Sequence, residues 1–199
     1  MKLALIGRMA GTLALTLGLA GCIDMTTDVY VTSATTAEAT VTQTMGADIY
    51  AMVKAGGDSG SSDSKPFCKE EGQTLTENED KSATCVVVSE GAFADLKFDD
   101  SGSKPTFTDN GDGTVRVAVK TKDMMGEMGS QDDPQTAAMM KQMFEGHFLT
   151  IRFGGPAVTD TNMTLNNDGT YAETKIPFID LLNGTAELPE ELYAVVDTN

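Results

Sequence analysis

The sequence predicts an α+β fold: an antiparallel β-sheet built of hairpins, with two or three helices packed on one face. Three observations carry this expectation. Short alternating runs rich in Val, Ile and Thr recur along the chain, joined by clusters of Gly, Asn, Asp and Ser. Three helical pieces with recognisable starts and stops interrupt them. The regular strand–helix–strand alternation that marks a parallel α/β sheet does not occur.

The elements follow in order. From residue 23 to 45 the pattern alternates around β-branched positions: Val29 and Val31 share one face of a first strand, and Ala39, Val41 and Gln43 share one face of a second. Residues 33–36 (Ser-Ala-Thr-Thr) form the turn between them. A short helix is expected over 49–53, with Asp48 as N-cap and Gly56-Gly57 as its stop. Residues 56–65 are a flexible Gly/Ser/Asp loop. A strand resumes at 84–88, and Ser89 opens a weak helical turn over 91–96. Phe107, Val115, Val117 and Val119 mark a second hairpin across Asp109-Asn110-Gly111-Asp112-Gly113, a connection that tolerates positive φ. The strongest helix signal covers 134–145, with Asp133 as N-cap, Pro134 at the first helical position and Gly146 as stop. A third hairpin pairs 158–165 with 170–176 across Asn166-Asn167-Asp168-Gly169. Residues 177–184 suit one more helical turn, and 191–196 a closing strand.

The first 22 residues stand apart from this pattern. Lys2 and Arg8 form a basic start, residues 11–20 a short apolar run, and small residues then lead to Cys22. This is the layout of a secretory signal. Leu19-Ala20-Gly21-Cys22 resembles the lipobox of bacterial lipoproteins. The resemblance implies a signal peptide over 1–21, cleavage before Cys22, and acyl chains on that cysteine as a membrane anchor. It also implies a place in the cell envelope. Ile23, rather than Asp, after the anchor implies the outer membrane, facing the periplasm, in a host with two membranes. An ordinary cleaved signal followed by a chance cysteine is the competing reading. The apolar run is well short of the ~20 residues that a membrane span needs.

Removing residues 1–21 takes away Lys2 and Arg8 and no acidic residue, leaving 12 basic against 30 acidic residues and a net charge of −18. Such a surface repels nucleic-acid phosphates, and no basic stripe offsets it. It repels anionic lipid headgroups as well, so membrane association would rest on the acyl chains. Residues 22–199 suit a single domain with a sizeable core. Tryptophan is absent, so that core leans on Val, Ile, Leu, Ala and Met. Two cysteines remain, Cys68 and Cys85. An even pair in an exported chain is most simply a disulfide. It would tie down the polar stretch containing Gly72, Asn78, Glu79, Asp80 and Lys81.

The order of these segments resembles the LppM-like group of bacterial lipoproteins. The early match is an anchor cysteine followed by Asp28-Val29-Tyr30-Val31 and a Thr/Ala-rich second strand. The later match runs through residues 149–158 (Leu-Thr-Ile-Arg-Phe-Gly-Gly-Pro-Ala-Val), Thr161-Asn162 and Asp168-Gly169-Thr170. Two departures stand out: no Trp follows Gly169, and no transmembrane helix follows Val196. The resemblance implies an envelope lipoprotein whose sheet and helices enclose a lipid or glycolipid.

Chemistry-bearing motifs are sparse. His147 is the sole histidine, and the one serine in a suggestive setting, Ser59 in Gly57-Asp58-Ser59-Gly60, lies in a linker-like stretch. Six methionines fall at 124, 125, 128, 139, 140 and 143. Met140, Met143, Phe144 and His147 share one helical face. That face is most simply buried, or a lid over an apolar ligand, since methionine adapts to irregular apolar space. Copper ligation by thioethers and His147 is the sharper reading and the weaker one. The loop at Asp109 fails the calcium pattern, because glycines occupy its third and fifth positions. No metal, cofactor or catalytic set is therefore expected. Three classes stay open: a lipoprotein binding a hydrophobic ligand, a structural or protein-interaction module of the envelope, and, least supported, an enzyme.

Overall fold

A computed structural model of the chain describes residues 23–57, 67–69, 71–98, 104–126, 141 and 144–199. In chain order its strands are β1 (Ile23–Val31), β2 (Thr36–Met45), β3 (Gln73–Glu77), β4 (Ala83–Ala92), β5 (Thr106–Asp109), β6 (Thr114–Lys120), β7 (Phe148–Gly154), β8 (Ala157–Thr161), β9 (Thr164–Leu165), β10 (Tyr171–Pro177) and β11 (Glu191–Asp197). Its described helices are α1 (Ala47–Gly57), α2 (Thr121–Gly126) and α3 (Phe178–Asn183), with a 3-10 turn at Phe93–Asp95.

The strands form two sheets, one of seven strands in the order β3-β4-β2-β1-β7-β10-β9 and one of four in the order β5-β6-β11-β8. Their apolar faces meet in one core. Val29, Val31, Ala37, Ala39, Phe153 and Ala172 supply it from the large sheet, and Val115, Val117, Ala194 and Val196 from the small one. Each set recurs at every second position of its strand, which places all of its members on one face.

This overturns the expected α+β arrangement. Among the described residues the molecule is mostly β, and the described helices are not gathered on a sheet face. The 11-residue α1 reaches the edge strand β3 through Tyr50 and Lys54, both bonded to Glu77, whereas α2 and α3 pack on each other near β11 and β10. The large sheet is also mixed rather than antiparallel: β1 runs parallel to β7, with Asp28 beside Arg152 and Val29 beside Phe153. The physical reason is that the apolar stripes of the two sheets cover one another, so helices are not needed for that purpose.

Local readings fared differently. The first hairpin is present, with the Ser33 side chain accepting from the Thr35 and Thr36 amides in its turn. So are the second hairpin (β5–β6), the turn at α3 closed by Gly184 at φ +64, and β11. Residues 84–88 lie in a longer strand that continues through Ala92. The third hairpin is broken: β9 pairs with β10, but β8 crosses to the small sheet beside β11. Asn162 makes the break, its side chain donating to the Glu191 carbonyl and accepting from the Tyr193 amide, as a strand neighbour would. The polar stretch near residue 75 is ordered as β3, paired along β4 and closed by a turn in which Lys81 takes φ +69 and Asp80 accepts from Ser82. Residues 58–65 of the expected flexible loop lie outside the described residues.

Candidate functional site

The outward face of the large sheet carries three aligned rows of side chains. In the first, Tyr30, Gly154 and Tyr171 sit side by side on β1, β7 and β10; in the second, Asp28, Arg152 and Glu173; in the third, Thr26, Thr150 and Lys175. Beside them on β2 stand Glu38, Thr40 and Thr42. Thr26, Asp28, Tyr30, Glu38, Thr40, Thr42, Arg152 and Tyr171 line an open groove of about 480 Å³.

Arg152 organises the groove. Its guanidinium lies 2.9 Å from an Asp28 oxygen and 3.5 Å from a Glu173 oxygen. It also stacks 4.4 Å from the Tyr171 ring centroid. Tyr30 and Tyr171 approach to 5.6 Å between centroids because Gly154 lies between them. A Cβ at Gly154 would fall 2.4 Å from the Tyr171 ring and 2.8 Å from the Thr170 carbonyl oxygen. Only glycine leaves the ring room to lie over β7. Burial raises the Asp28 pKa, with the Arg152 charge opposing, and burial followed by the Asp28 charge raises that of Tyr171. Arg152 therefore faces a carboxylate that burial makes harder to ionise. The result is a concave surface of hydroxyl donors, carboxylate acceptors, one fixed guanidinium and two aromatic faces.

The outer face of the small sheet has a similar trio. Arg116 pairs with Glu191 at 2.7 Å and lies 4.3 Å from the Tyr193 ring centroid. Stacked arginine alone is thus part of how this chain finishes an exposed sheet. The Arg152 site adds to its trio a second aromatic ring, Tyr30, and a groove lined by threonine hydroxyls.

The sequence-predicted site residues lie elsewhere. Cys22, Met140 and Met143 fall outside the described residues. Phe144 packs against the core and 5.5 Å from Phe178, centroid to centroid. His147 Nδ1 sits 3.0 Å from Asp24, whose other oxygen accepts from the Phe148 amide, and its carbonyl accepts from the Phe178 amide. His147 therefore braces the start of β7 against β1. Gly146, the expected stop of the helix over 134–145, has φ +87; residues 134–140 and 142–143 of that helix lie outside the described residues. The structure joins Cys68 to Cys85, with Cα atoms 5.5 Å apart. Among the described residues no cluster of three or more His, Cys, Asp or Glu is arranged to hold a metal, and no helix is long and apolar enough to cross a membrane.

Half of the groove was within reach of the sequence. The period of two that puts Val29 and Val31 inside puts Thr26, Asp28 and Tyr30 outside, and Arg152 is the single charge in the run 149–153. The parallel contact of β1 with β7 brings these together across more than a hundred residues, and no local pattern announces it.

No protein-family model and no curated protein matches this chain. The NMR structure of the folded domain of the Mycobacterium tuberculosis LppM protein is similar to it at 13% sequence identity and a TM-score of 0.49, covering 88% of this chain and 89% of that one. The resemblance is weak.

Proposed function

We propose that this chain is a lipid-anchored, non-catalytic binding protein of the bacterial envelope, and that its ligand is a lipid or glycolipid recognised chiefly by the polar headgroup. The observation that supports this reading is the groove around Arg152. Its carboxylates and threonine hydroxyls suit a polyhydroxylated headgroup, and Tyr30 and Tyr171 offer aromatic faces to the apolar side of a sugar ring. The apolar space between the sheets is occupied by side chains such as Phe153, Val29 and Val196, which favours recognition of a headgroup over enclosure of acyl chains there. The lipobox ending in Cys22 supplies the anchor in this reading.

Native mass spectrometry of the domain, expressed with an ordinary signal peptide and no acyl anchor, tests the reading. Wild-type protein should carry a co-purified glycolipid, and Arg152→Gln or Tyr30→Ala should release most of it. Arg116→Gln, which alters the similar trio on the small sheet, should retain it. A clean apo mass for the wild type would instead make the chain an interaction module of the envelope.

A further inference from the structure

We infer that the domain is mounted directly on the bilayer without a tether, with the Ile23 end of the large sheet seated on the membrane surface. This rests on the reading of Cys22 as the anchor. β1 begins at Ile23, one peptide bond after Cys22. Consecutive Cα atoms are about 3.8 Å apart, so acyl chains on Cys22 leave no slack between bilayer and sheet. Ile23 is fixed in turn: it is in register with Met45 at the end of β2, and Met45 with Ala83 at the start of β4. The next residue, Asp24, is bonded to His147 and to the Phe148 amide. The strand is held from both sides at the point where the anchor joins it.

The surface at that end is mixed, with Asp48, Glu79 and Asp80 exposed beside apolar side chains. α1 follows β2 there, and its Met52 is 69% exposed, while Phe148 at the start of β7 is 38% exposed. Glu77 at the same end is engaged by Lys54 at 2.7 Å, so its charge is offset. The net charge of −18 opposes deeper approach to anionic lipid, so contact is shallow, with apolar side chains at the headgroup level. A strand rises about 3.3 Å per residue, which sets Thr26 to Tyr30 about 13 to 26 Å along β1 from Cys22. The groove thus opens sideways, close above the membrane, where a headgroup carried by a lipid of the same bilayer can reach it.

The chain has no tryptophan, so single introduced tryptophans report depth cleanly. Mature protein starting at Cys22, with the Cys68–Cys85 disulfide intact, is coupled through the Cys22 thiol to a maleimide-bearing lipid in phosphatidylcholine vesicles containing brominated acyl chains. Coupling supplies the anchor chemically, so the result does not depend on whether cells acylate Cys22. Met52→Trp should lose most of its emission, and Asn167→Trp, in the turn between β9 and β10, should lose almost none. Inserting a long Gly/Ser linker between Cys22 and Ile23 should restore the Met52→Trp emission. Equal quenching of the two reporters would overturn the proposal, and so would quenching at Met52→Trp that survives the linker, since the missing tether would then not be its cause.

Discussion

Asp28 shows how a single carboxylate on this sheet trades stability for a site. Its side chain is 18% exposed, and burial raises its pKa above the ordinary 3.8 despite Arg152. A raised carboxylate pKa means that the folded state holds its proton more tightly than the unfolded chain does. Stability at this position is therefore greatest below the unfolded value and falls as pH rises through the folded one. Ionised Asp28 costs stability at neutral pH, and Arg152 offsets only part of that cost. Asp28→Asn should accordingly raise the melting temperature relative to wild type at pH 7, and the gain should shrink toward pH 3, where Asp28 is protonated in both states. Thermal melts across that range decide it. A variant that loses stability at pH 7 but not at pH 3 would show that the Arg152 ion pair outweighs burial. The groove would then be a stabilising feature rather than a strained one.

At the scale of elements, what was legible in the sequence divides by range. Hairpins whose partners lie within a few residues were readable from alternation and turn chemistry: β1–β2 around Ser33, β5–β6 around Gly111 and Gly113, and α3 with its closing Gly184. Pairings set by distant partners were not. The β1–β7 contact, the transfer of β8 to the small sheet and the face-to-face packing of the two sheets depend on which apolar stripes find each other, and many hairpin assemblies share the same stripes. The α+β expectation failed at this step, because it gave helices a face that a second sheet covers. β3 failed differently: its short run of Thr and Glu is too polar to announce a strand, and it is held by β4 and by the bridge from Cys85 to Cys68, 17 residues apart in sequence. Replacing both cysteines by alanine should therefore cost about 3 kcal/mol by the chain-entropy estimate, measured by urea unfolding with and without reductant. Wild-type protein under reductant should match the variant. Amide exchange should rise first in β3 and in the turn at Lys81, while β1 and β7 keep their protection.

For the whole molecule, charge and the proposed anchor at Cys22 would act in opposite directions. A domain carrying −18 is repelled by an anionic membrane surface, and the exposed apolar side chains at the Ile23 end are too few to hold it there alone. Each buried methylene of an acyl chain contributes about 0.8 kcal/mol; one chain holds a protein marginally, and two or more hold it firmly. Membrane residence should therefore depend almost entirely on Cys22. Cys22→Ser should abolish labelling by a palmitate analogue and leave the protein uncleaved or released as a soluble periplasmic form. The β-sandwich itself should be unaffected, because Cys22 precedes β1 and takes no part in the Cys68–Cys85 bridge, so the melting temperature of the released form should match that of the wild-type domain. Labelling and fractionation of cells expressing either form give the answer. A Cys22→Ser protein that still takes up label and still sediments with membranes would remove the anchor from this account, and with it the reason for the groove to stand beside a bilayer.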